Sequence, residues 1–368
     1  MKSIIAAGGS YGHFYPALSL ARALKDWGAD VTLVTDRRVF IDEAREKGIS
    51  ARFVGGDYAA CGPLRRLWLL LRAVVGCLSV LAGAGGRGEA VLGFGGYVSF
   101  SLVFAAAVLR RALFWRREKA RIYIHEQNAL LGRANRVAAL FADKIFISFP
   151  ETAGRYKNIA GRMILSGNPV RPELKVIDKG SARRHLGLAA DVWTLLVVGG
   201  SRGARRINRE VARALGLLSQ DIRLQVIHLC GRDNLDEMRR AYGGVSFKNR
   251  LFGFYHRMSY PFSAADLVVC RAGASTISEI GYFGLAAIFI PYPYARGHQK
   301  ENAKVLTKQA KSVIIEERDL RAEALAGHIR DFIRRPPLAA KAGQRPKHLD
   351  GNAAQRIAEE VSRLKTAR

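Results

Sequence analysis

The sequence predicts an α/β protein made of two Rossmann-like domains in tandem, and three observations support this prediction. The chain has 368 residues, which is more than a single hydrophobic core usually holds. Gly-Gly-Ser-Tyr-Gly at residues 8–12 is echoed by Gly-Gly-Ser-Arg-Gly at residues 199–203. Each copy follows a short apolar run and precedes a helical pattern. Each copy therefore predicts the start of a βαβ unit.

The patterns around the two glycine motifs define the predicted elements. The first motif lies between a strand and a helix and is followed by a second strand, at Ser3–Ala7, Pro16–Trp27 and Val31–Thr35. The second motif has the same context, at Thr194–Val198, Arg206–Leu218 and Leu224–Leu229. Further strands are predicted at Ala90–Gly93, Arg121–His125, Lys144–Ser148 and Leu267–Cys270.

The domain limits follow from composition. The segment Leu165–Pro172 has the glycine and proline density of a linker, and the basic, proline-containing segment Arg334–His348 closes the second half. We expect an N-terminal domain over residues 1–165 and a C-terminal domain over residues 166–348. We expect the last helix, in residues 349–368, to pack back on the N-terminal domain.

The charge of the chain is strongly basic. Lys and Arg number 59 and Asp and Glu 31, which gives a formal net charge of +28. Such a surface attracts nucleic acid, anionic lipid headgroups or phosphorylated substrates. The charge alone leaves these three classes open, and it leaves open an arginine content that only reflects genome composition. The balance of 49% hydrophobic and 24% charged residues excludes wholesale disorder.

Cysteine usage and the first residues bear on the compartment. Cys61, Cys77, Cys230 and Cys270 form neither a CxxC pair nor a Cys/His cluster, which argues against zinc sites and disulfides. A reducing compartment is therefore expected. The apolar run at the N-terminus is too short for the core of a signal peptide, so we expect a cytosolic protein.

The first glycine loop, Gly8–His13, is a candidate ligand loop. Glycines let the backbone approach a ligand closely, and the helix that follows favours negative charge at its N-terminus. The spacing is not Gly-x-Gly-x-x-Gly, so the dinucleotide fingerprint is missing. An imidazole at His13 suits a general base near neutral pH. A structural cap is the alternative role for this histidine.

Two further segments have the same anion-binding character. The loop Gly199–Arg205 carries Arg202 and Arg205, whose charges match a diphosphate, although a plain Rossmann turn with solvated arginines has the same pattern. The segment Arg271–Glu279 follows a predicted strand and leads into a helix, with Ser275 and Thr276 as suitable N-caps. Glu279 suits the two hydroxyls of a ribose, or a capping box at the start of its own helix.

Polar segments follow other strands. His125-Glu126-Gln127-Asn128 begins where a predicted strand ends, which fits the ligand crevice of an open α/β sheet. His298-Gln299-Lys300-Glu301-Asn302 is similar in kind. Taken alone, either segment is equally consistent with an ordinary polar loop.

Seven segments, in order over roughly residues 3–320, together resemble the MurG family of N-acetylglucosaminyltransferases. They are Gly8–His13 with Pro16-Ala17, Gly95–Ser99, His125–Asn128 with Gly132 and Ala134-Asn135, Gly167–Arg171, Gly199–Ala204 with Asn208, Arg271–Glu279, and Gln299 with Asn302-Ala303. The resemblance implies the GT-B fold, in which two Rossmann-like domains face each other across a cleft.

The resemblance also implies an activity. The enzyme would move N-acetylglucosamine from UDP-N-acetylglucosamine to the C4 hydroxyl of lipid I in one inverting displacement, forming lipid II at the cytoplasmic face of the cell membrane. A transferase of the same fold that glycosylates another lipid, such as diacylglycerol, is the alternative. His13 would be the base, with Glu126 as the second candidate. No cofactor and no metal are expected.

The resemblance assigns substrate contacts to individual residues. The donor would be bound mainly by the C-terminal domain, through Arg171, Ser201, Ala274, Ser275, Thr276, Ile277, Ser278, Glu279 and Gln299. Tyr255 falls where the family reads uracil with main-chain atoms. The donor sugar and the acceptor would be lined by Ser10, Tyr11, Gly12 and Asn128.

The chain departs from the family pattern at a few positions. Tyr11 stands where the family usually has glycine, which puts the pose of the acceptor in question. Ala272 replaces a common serine and Ala286 a common proline. The stretch Phe100–Ala120 is longer and more basic than usual.

A basic and apolar patch lies between Cys61 and Arg117. Leucine, valine and Trp68 recur at helical spacing beside Arg65 and Arg72, which suits an interfacial contact with anionic lipid. Arg72 argues against a spanning helix. The alternative is a core helix with a basic edge.

Two other classes of function fit the sequence less well. A nucleic-acid-binding protein would interleave aromatic and basic residues, whereas these clusters contain leucine, valine and tryptophan. A nicotinamide dehydrogenase would carry the missing glycine fingerprint. We therefore expect the partners to be UDP-N-acetylglucosamine, lipid I and an anionic membrane surface, and no nucleic acid.

Overall fold

A computed structural model describes residues 1–56, 61–83, 90–112, 120–199, 204–218, 222–307, 312–334 and 346–366. The chain forms two compact units, Met1–Arg171 with Lys347–Arg368, and Pro172–Pro346. Each unit contains one sheet whose strands all pair in parallel, with helices between them. The predicted α/β class with two Rossmann-like domains is confirmed.

The first unit is built on a seven-stranded sheet in the order β3-β2-β1-β4-β5-β6-β7. Its strands are β1 (Lys2–Ala6), β2 (Asp30–Thr35), β3 (Ser50–Phe53), β4 (Ala90–Gly93), β5 (Arg121–Glu126), β6 (Lys144–Ile147) and β7 (Met163–Leu165). Its helices are α1 (Tyr11–Asp26), α2 (Arg38–Glu46), α3 (Pro63–Gly83), α4 (Gly96–Ala112), α5 (Arg133–Ala138), α6 (Pro150–Arg155) and α14 (Ala353–Thr366).

Alternating side chains of the central strands fill two cores, one on each face of this sheet. Ile5 of β1 lies in the core shared with α1, α2 and α14. Ile4 lies in the core shared with α3, α4 and α5. Because both faces are covered, the central strands are apolar without interruption, as parallel strands usually are.

The second unit is built on a six-stranded sheet in the order β10-β9-β8-β11-β12-β13. Its strands are β8 (Trp193–Val198), β9 (Leu224–Leu229), β10 (Lys248–Phe252), β11 (Leu267–Cys270), β12 (Ala286–Phe289) and β13 (Val313–Ile314). Its helices are α7 (Lys179–His185), α8 (Arg205–Gly216), α9 (Leu235–Ala241), α10 (Ser259–Ala264), α11 (Ala274–Phe283), α12 (His298–Thr307) and α13 (Ala322–Arg334).

The strand order reverses once in each sheet, and this reversal locates the ligand crevices. In the first sheet the order runs outward in both directions from the pair β1 and β4. In the second sheet it does so from the pair β8 and β11. Ligands of open α/β sheets bind outside the carboxyl ends of the strands at such reversals. We therefore expect ligand-binding residues in the loops after these four strands.

Candidate active site

His13 lies at the reversal of the first sheet, in the first turn of α1. Its Nδ1 is 2.9 Å from the carbonyl oxygen of Gly8. A carbonyl oxygen only accepts hydrogen bonds, so Nδ1 carries the proton of the neutral imidazole. The lone pair is then on Nε2. The contact therefore prepares Nε2 to take a proton.

The segment after β4 comes very close to this histidine because it contains two successive glycines, Gly95 and Gly96. A Cβ atom on Gly95 would lie 3.0 Å from Nε2 of His13, and one on Gly96 would lie 2.9 Å from the carbonyl oxygen of Gly8. Both glycines have positive φ, +93° and +81°. Only glycine tolerates this backbone at such short distances. The two loops of the reversal thus meet at His13.

The rest of the first glycine loop is hydrogen-bonded to the residue that follows β2 and is exposed to solvent. The backbone N–H of Gly9 donates to Oδ1 of Asp36, a buried carboxylate just after β2, over 3.0 Å. Ser10 is the exposed N-cap residue of α1, but its side chain makes no capping hydrogen bond. Tyr11 is 40% exposed and Gly12 is partly exposed. Ser10, Tyr11, Gly12 and His13 are therefore presented together at the carboxyl end of β1.

Glu126 ends β5, and its carboxylate is fully engaged. Oε1 accepts from the backbone N–H and the Nδ2 of Asn128, over 3.0 and 2.9 Å. Oε2 accepts from the backbone N–H of Gly132 and from Nδ2 of Asn135, both over 2.8 Å. A general base needs a lone pair that faces the reacting hydroxyl, whereas here four donors surround a buried carboxylate. These contacts favour a role in holding the loop that carries Asn128, and they leave His13 as the stronger candidate base.

His125 is buried beside Glu126 and links β5 to the linker. Its Nε2 is 3.0 Å from the carbonyl oxygen of Gly167, and its Nδ1 is 3.1 Å from Nε2 of Gln127. Burial lowers the pKa of His125 to about 4, so the ring is neutral near pH 7. The carbonyl oxygen of Gly167 can only accept a hydrogen bond, so Nε2 of His125 carries the proton of the ring. The residue is structural and does not reach the candidate site.

In the second unit, α11 begins at the reversal, directly after β11. Its N-cap is Gly273, so the expectation that Ser275 or Thr276 caps this helix is wrong. Glu279 lies six positions beyond the N-cap, whereas a capping box places its carboxylate at the third. The capping-box alternative is therefore excluded by position. Glu279 is buried on the first turns of a helix whose N-terminus favours anions.

Two serines of α11 differ in their contacts. Oγ of Ser278 donates to the carbonyl oxygen of Ala274 over 3.0 Å, one turn earlier. Oγ of Ser275 is buried and has no hydrogen-bond partner. Ile277 is packed in the interior, and Ala274 and Thr276 are partly exposed. The hydroxyl of Ser275 thus retains its bonding capacity, whereas that of Ser278 is engaged within the helix.

Gln299, near the start of α12, joins the loops after β11 and β12. Its Oε1 accepts from the backbone N–H of Ala272 over 3.2 Å and from that of Tyr292 over 2.9 Å. Nδ2 of Asn302 donates to the carbonyl oxygen of Ala272 over 3.2 Å. With Oε1 engaged by backbone donors, the amide nitrogen of Gln299 is the end that remains to bind a ligand.

The remaining predicted donor residues are spread more widely. Tyr255 follows β10, the outer strand, with its ring 4.8 Å from that of Phe252, and burial raises its pKa. Arg171 ends the first unit, where its guanidinium lies 5.3 Å from the ring centroid of Tyr15. Ser201 lies outside the described residues, as does most of the second glycine loop.

Each unit therefore collects part of the predicted site at the carboxyl ends of its strands. The first unit brings together Ser10, Tyr11, Gly12, His13, Glu126 and Asn128, and the second brings together the 274–279 turn and Gln299. Sequence reasoning missed Asp36 and Tyr15. Asp36 directly follows a predicted strand, which is the signal that could have indicated it.

Comparison with known proteins identifies the class. The model of the glycosyltransferase family 28 N-terminal domain matches residues 3–147, and that of the glycosyltransferase family 28 C-terminal domain matches residues 194–361. The chain therefore belongs to glycosyltransferase family 28, which agrees with two parallel α/β units whose loops converge at the strand-order reversals.

Similarity to individual relatives identifies the MurG family within glycosyltransferase family 28. A protein of Desulforudis audaxviator is 34% identical over 95% of this chain and 96% of its own length, and one of Cupriavidus necator is 34% identical over 98% and 97%. Both are named UDP-N-acetylglucosamine--N-acetylmuramyl-(pentapeptide) pyrophosphoryl-undecaprenol N-acetylglucosamine transferase. The resemblance found in the sequence is confirmed.

Solved structures agree on the fold. The crystal structure of Acinetobacter baumannii MurG matches with a TM-score of 0.73 at 23% identity, covering 98% of this chain and 99% of that one. A UDP-GlcNAc 2-epimerase from Neisseria meningitidis, bound to UDP-GlcNAc, matches with a TM-score of 0.68 at 12% identity, covering 99% and 100%.

Proposed function

We propose that the protein transfers N-acetylglucosamine from UDP-N-acetylglucosamine to the C4 hydroxyl of the muramyl-pentapeptide in lipid I, forming lipid II. The names of the relatives, which align over nearly the whole of both chains, support the substrates. The observation that supports the chemistry is the contact of His13 Nδ1 with the carbonyl oxygen of Gly8, which leaves the lone pair of the neutral ring on Nε2 at the reversal of the first sheet.

The proposed reaction is one inverting displacement. The C4 oxygen of the acceptor attacks the anomeric carbon of the donor while its proton passes to Nε2 of His13. The bond between the anomeric carbon and the diphosphate breaks, and UDP leaves with the electron pair. The N-terminus of α11 and the charge of Arg171 would stabilise the negative charge that develops on UDP.

The other predicted residues would orient the two substrates. Glu279 would accept hydrogen bonds from the ribose, and the amide nitrogen of Gln299 and the hydroxyl of Ser275 would donate to the nucleotide. The same donor site would include Ser201, Tyr255, Ala274, Thr276, Ile277 and Ser278. Ser10, Tyr11, Gly12 and Asn128 would line the donor sugar and the acceptor, with Glu126 holding the loop of Asn128.

We further propose that the enzyme works at the cytoplasmic face of the cell membrane, bound to anionic lipid through α3. This helix is long and apolar enough to cross a membrane by length and composition. However, Leu69, Ala73, Cys77 and Leu81 form a buried stripe, and the last three of these residues pack into the core of the first unit. The opposite face exposes Leu64, Leu67, Trp68, Leu71 and Val75 beside Arg65, Arg66 and Arg72. One face of α3 is thus packed against the protein, and the other face is apolar and basic. Such a helix suits a contact with a membrane surface.

A transfer assay tests the proposed activity. Radiolabelled UDP-N-acetylglucosamine is incubated with a lipid I analogue in one arm and with diacylglycerol in the other. Label should enter the lipid I analogue and not diacylglycerol. Transfer to diacylglycerol alone would replace the proposed acceptor, and transfer to neither lipid would contradict the proposed function.

A further inference from the structure

An aromatic stack on the first unit connects the glycine loop to the linker. The rings of Tyr11 and Tyr15 are stacked at 5.3 Å with 21° between their planes. The guanidinium of Arg171 lies over the ring of Tyr15, also 5.3 Å from its centroid. Tyr15 therefore contacts a residue from the proposed acceptor loop and a residue from the proposed donor site.

The neighbours of this stack restrict its motion. Tyr11 makes an edge contact with Phe40 of α2 at 5.0 Å, and Phe40 is stacked on Phe14 at 4.3 Å. Phe14 and Phe40 are fully buried. The exposed Tyr11 thus contacts a stacked pair of buried rings, Phe40 and Phe14, in the core of the unit.

Glu43 of α2 holds the other end of Tyr15. The phenol of Tyr15 donates a hydrogen bond to the Glu43 carboxylate, and burial together with this carboxylate raises the pKa of Tyr15 well above its usual range. Burial raises the pKa of Glu43, while Tyr15 and the charge of Arg171 act in the opposite direction. Tyr15 is therefore hydrogen-bonded to Glu43 through its hydroxyl and contacts Arg171 through its ring.

An arginine that is already stacked loses less conformational freedom when it binds an anion than one that moves freely in water. A cation–π contact also fixes the plane of the guanidinium, and that plane determines how its N–H groups meet phosphate oxygens. A positioning partner for Arg171 therefore affects donor affinity without touching the donor.

We propose that Tyr15 is a positioning residue, held by Glu43, which orients Arg171 for the diphosphate of the donor and supports Tyr11 at the acceptor loop. This inference rests on the proposed role of Arg171 in donor binding. It adds two residues, Tyr15 and Glu43, to the machinery of that function.

A double-mutant cycle measured as the Kd of UDP by calorimetry tests the proposal. Tyr15→Leu removes the π face and should raise the Kd about 3- to 30-fold, the range of a cation–π contact. Tyr15→Phe keeps the ring and loses only the hydrogen bond to Glu43, so it should restore the affinity to within about 3-fold of the parent, because Arg171 contacts the π face. In an Arg171→Ala background, Tyr15→Leu should cause no further change, because it acts through the arginine.

Controls separate this inference from the function on which it rests. Asp42→Asn changes an exposed carboxylate on the same helix as Glu43 and should leave the Kd unchanged. If Tyr15→Leu does not fold, Tyr15→Met replaces it, since this flexible side chain adapts to irregular gaps and has no π face. Independent, multiplying effects of Tyr15→Leu and Arg171→Ala would overturn the positioning role alone. An unchanged Kd in Arg171→Ala would overturn both that role and the proposed donor contact of Arg171.

Discussion

At the residue scale, the tautomer of the neutral His13 ring follows from one contact. The Gly8 carbonyl oxygen engages Nδ1 and so leaves the lone pair on Nε2, beside Gly95. We expect His13→Ala to lower kcat by about 10²–10⁴-fold, as removal of a general base does, with little change in the Kd of UDP. Single-turnover transfer assays and calorimetry measure the two quantities. A turnover equal to that of the parent would exclude His13 as the base and leave Glu126 as the candidate base.

Glu279 gives a second prediction at this scale. We expect Glu279→Ala to weaken UDP binding by about 1.5–3 kcal/mol, because a charged acceptor for the ribose hydroxyls is lost. Glu323→Ala, an exposed carboxylate in the first turn of α13, is the matched control and should bind UDP like the parent. Calorimetry with UDP makes the comparison. If both variants bound UDP with equal affinity, the role of Glu279 would be structural only.

Two buried histidines predict how stability depends on pH. Burial lowers the pKa of His125, in the first unit, to about 4, and that of His228, in the second unit, to about 3. The unfolded chain takes up these protons as the pH falls below about 6.5, while the folded chain does not. Stability is therefore full above pH 6.5 and falls as the pH decreases towards 4.

We expect His125 to account for roughly 3 kcal/mol of this loss by pH 4 and about 2 kcal/mol by pH 5, from the difference between its folded and unfolded pKa. Urea unfolding at pH 7.5 and at pH 5 measures the effect as a lower midpoint in acid. His228→Gln should reduce the pH dependence of the unfolding transition of the second unit. A midpoint that does not change between these pH values would contradict the assignment.

At the scale of an element, α3 has two faces with different tasks. Its buried stripe packs into the core, and its exposed face presents Trp68 with the guanidinium of Arg72 5.3 Å from the Trp68 ring. Arginines near an anionic bilayer contribute about 1 kcal/mol each, and exposed apolar side chains add transfer free energy. We expect the protein to sediment with vesicles that contain anionic lipid, and less strongly as salt increases.

Replacing Arg65, Arg66 and Arg72 with serine should release the protein from these vesicles while UDP binding persists. Arg213, Arg239 and Arg240 on exposed faces of α8 and α9 provide a control with the same change of charge, and their replacement should leave sedimentation nearly unchanged. Equal release by both sets would show that net charge, and not α3, mediates the contact. Sedimentation insensitive to lipid charge and salt would contradict the membrane proposal.

At the scale of the whole molecule, the chain returns to its first unit after completing the second. Ala354, Ile357, Ala358 and Val361 of α14 are buried in the same core as α1 and α2. Arg356 donates to the carbonyl oxygen of Ser166 through Nη2 over 2.7 Å and pairs with Asp350. The last helix is therefore a structural part of the first unit, far from it in sequence.

We expect Ile357→Ala to destabilise the first unit by about 2–5 kcal/mol, the usual cost of such a cavity. Ile329→Ala on α13, equally buried in the other core, should destabilise only the second unit. Urea unfolding followed by hydrogen exchange assigns each transition to its unit. A shift of both transitions by either variant would show that the units unfold together.

Much of the central architecture could be predicted from the sequence because it depends on local patterns. The predicted strands Ala90–Gly93, Leu224–Leu229 and Leu267–Cys270 have the same limits in the structure. Strands β3, β7, β10, β12 and β13 were not predicted. Four of them, β3, β7, β10 and β13, are the outer strands of the two sheets, where pairing with a distant strand, and not an apolar run, makes a few residues extended.

The candidate site divides in the same way. The sequence by itself determined the two βαβ openings, the family and the set of polar residues at strand ends, because glycine turns and apolar periodicity are local properties of the chain. The tertiary structure alone decided which nitrogen of His13 is free, that Glu126 is surrounded by donors, that Gly273 caps α11, and that Tyr15 lies beneath Arg171. Tyr15 and Arg171 come from segments that are distant in the chain, and the other three depend on the exact conformation of a loop, because hydrogen bonding and stacking depend on geometry rather than on residue type.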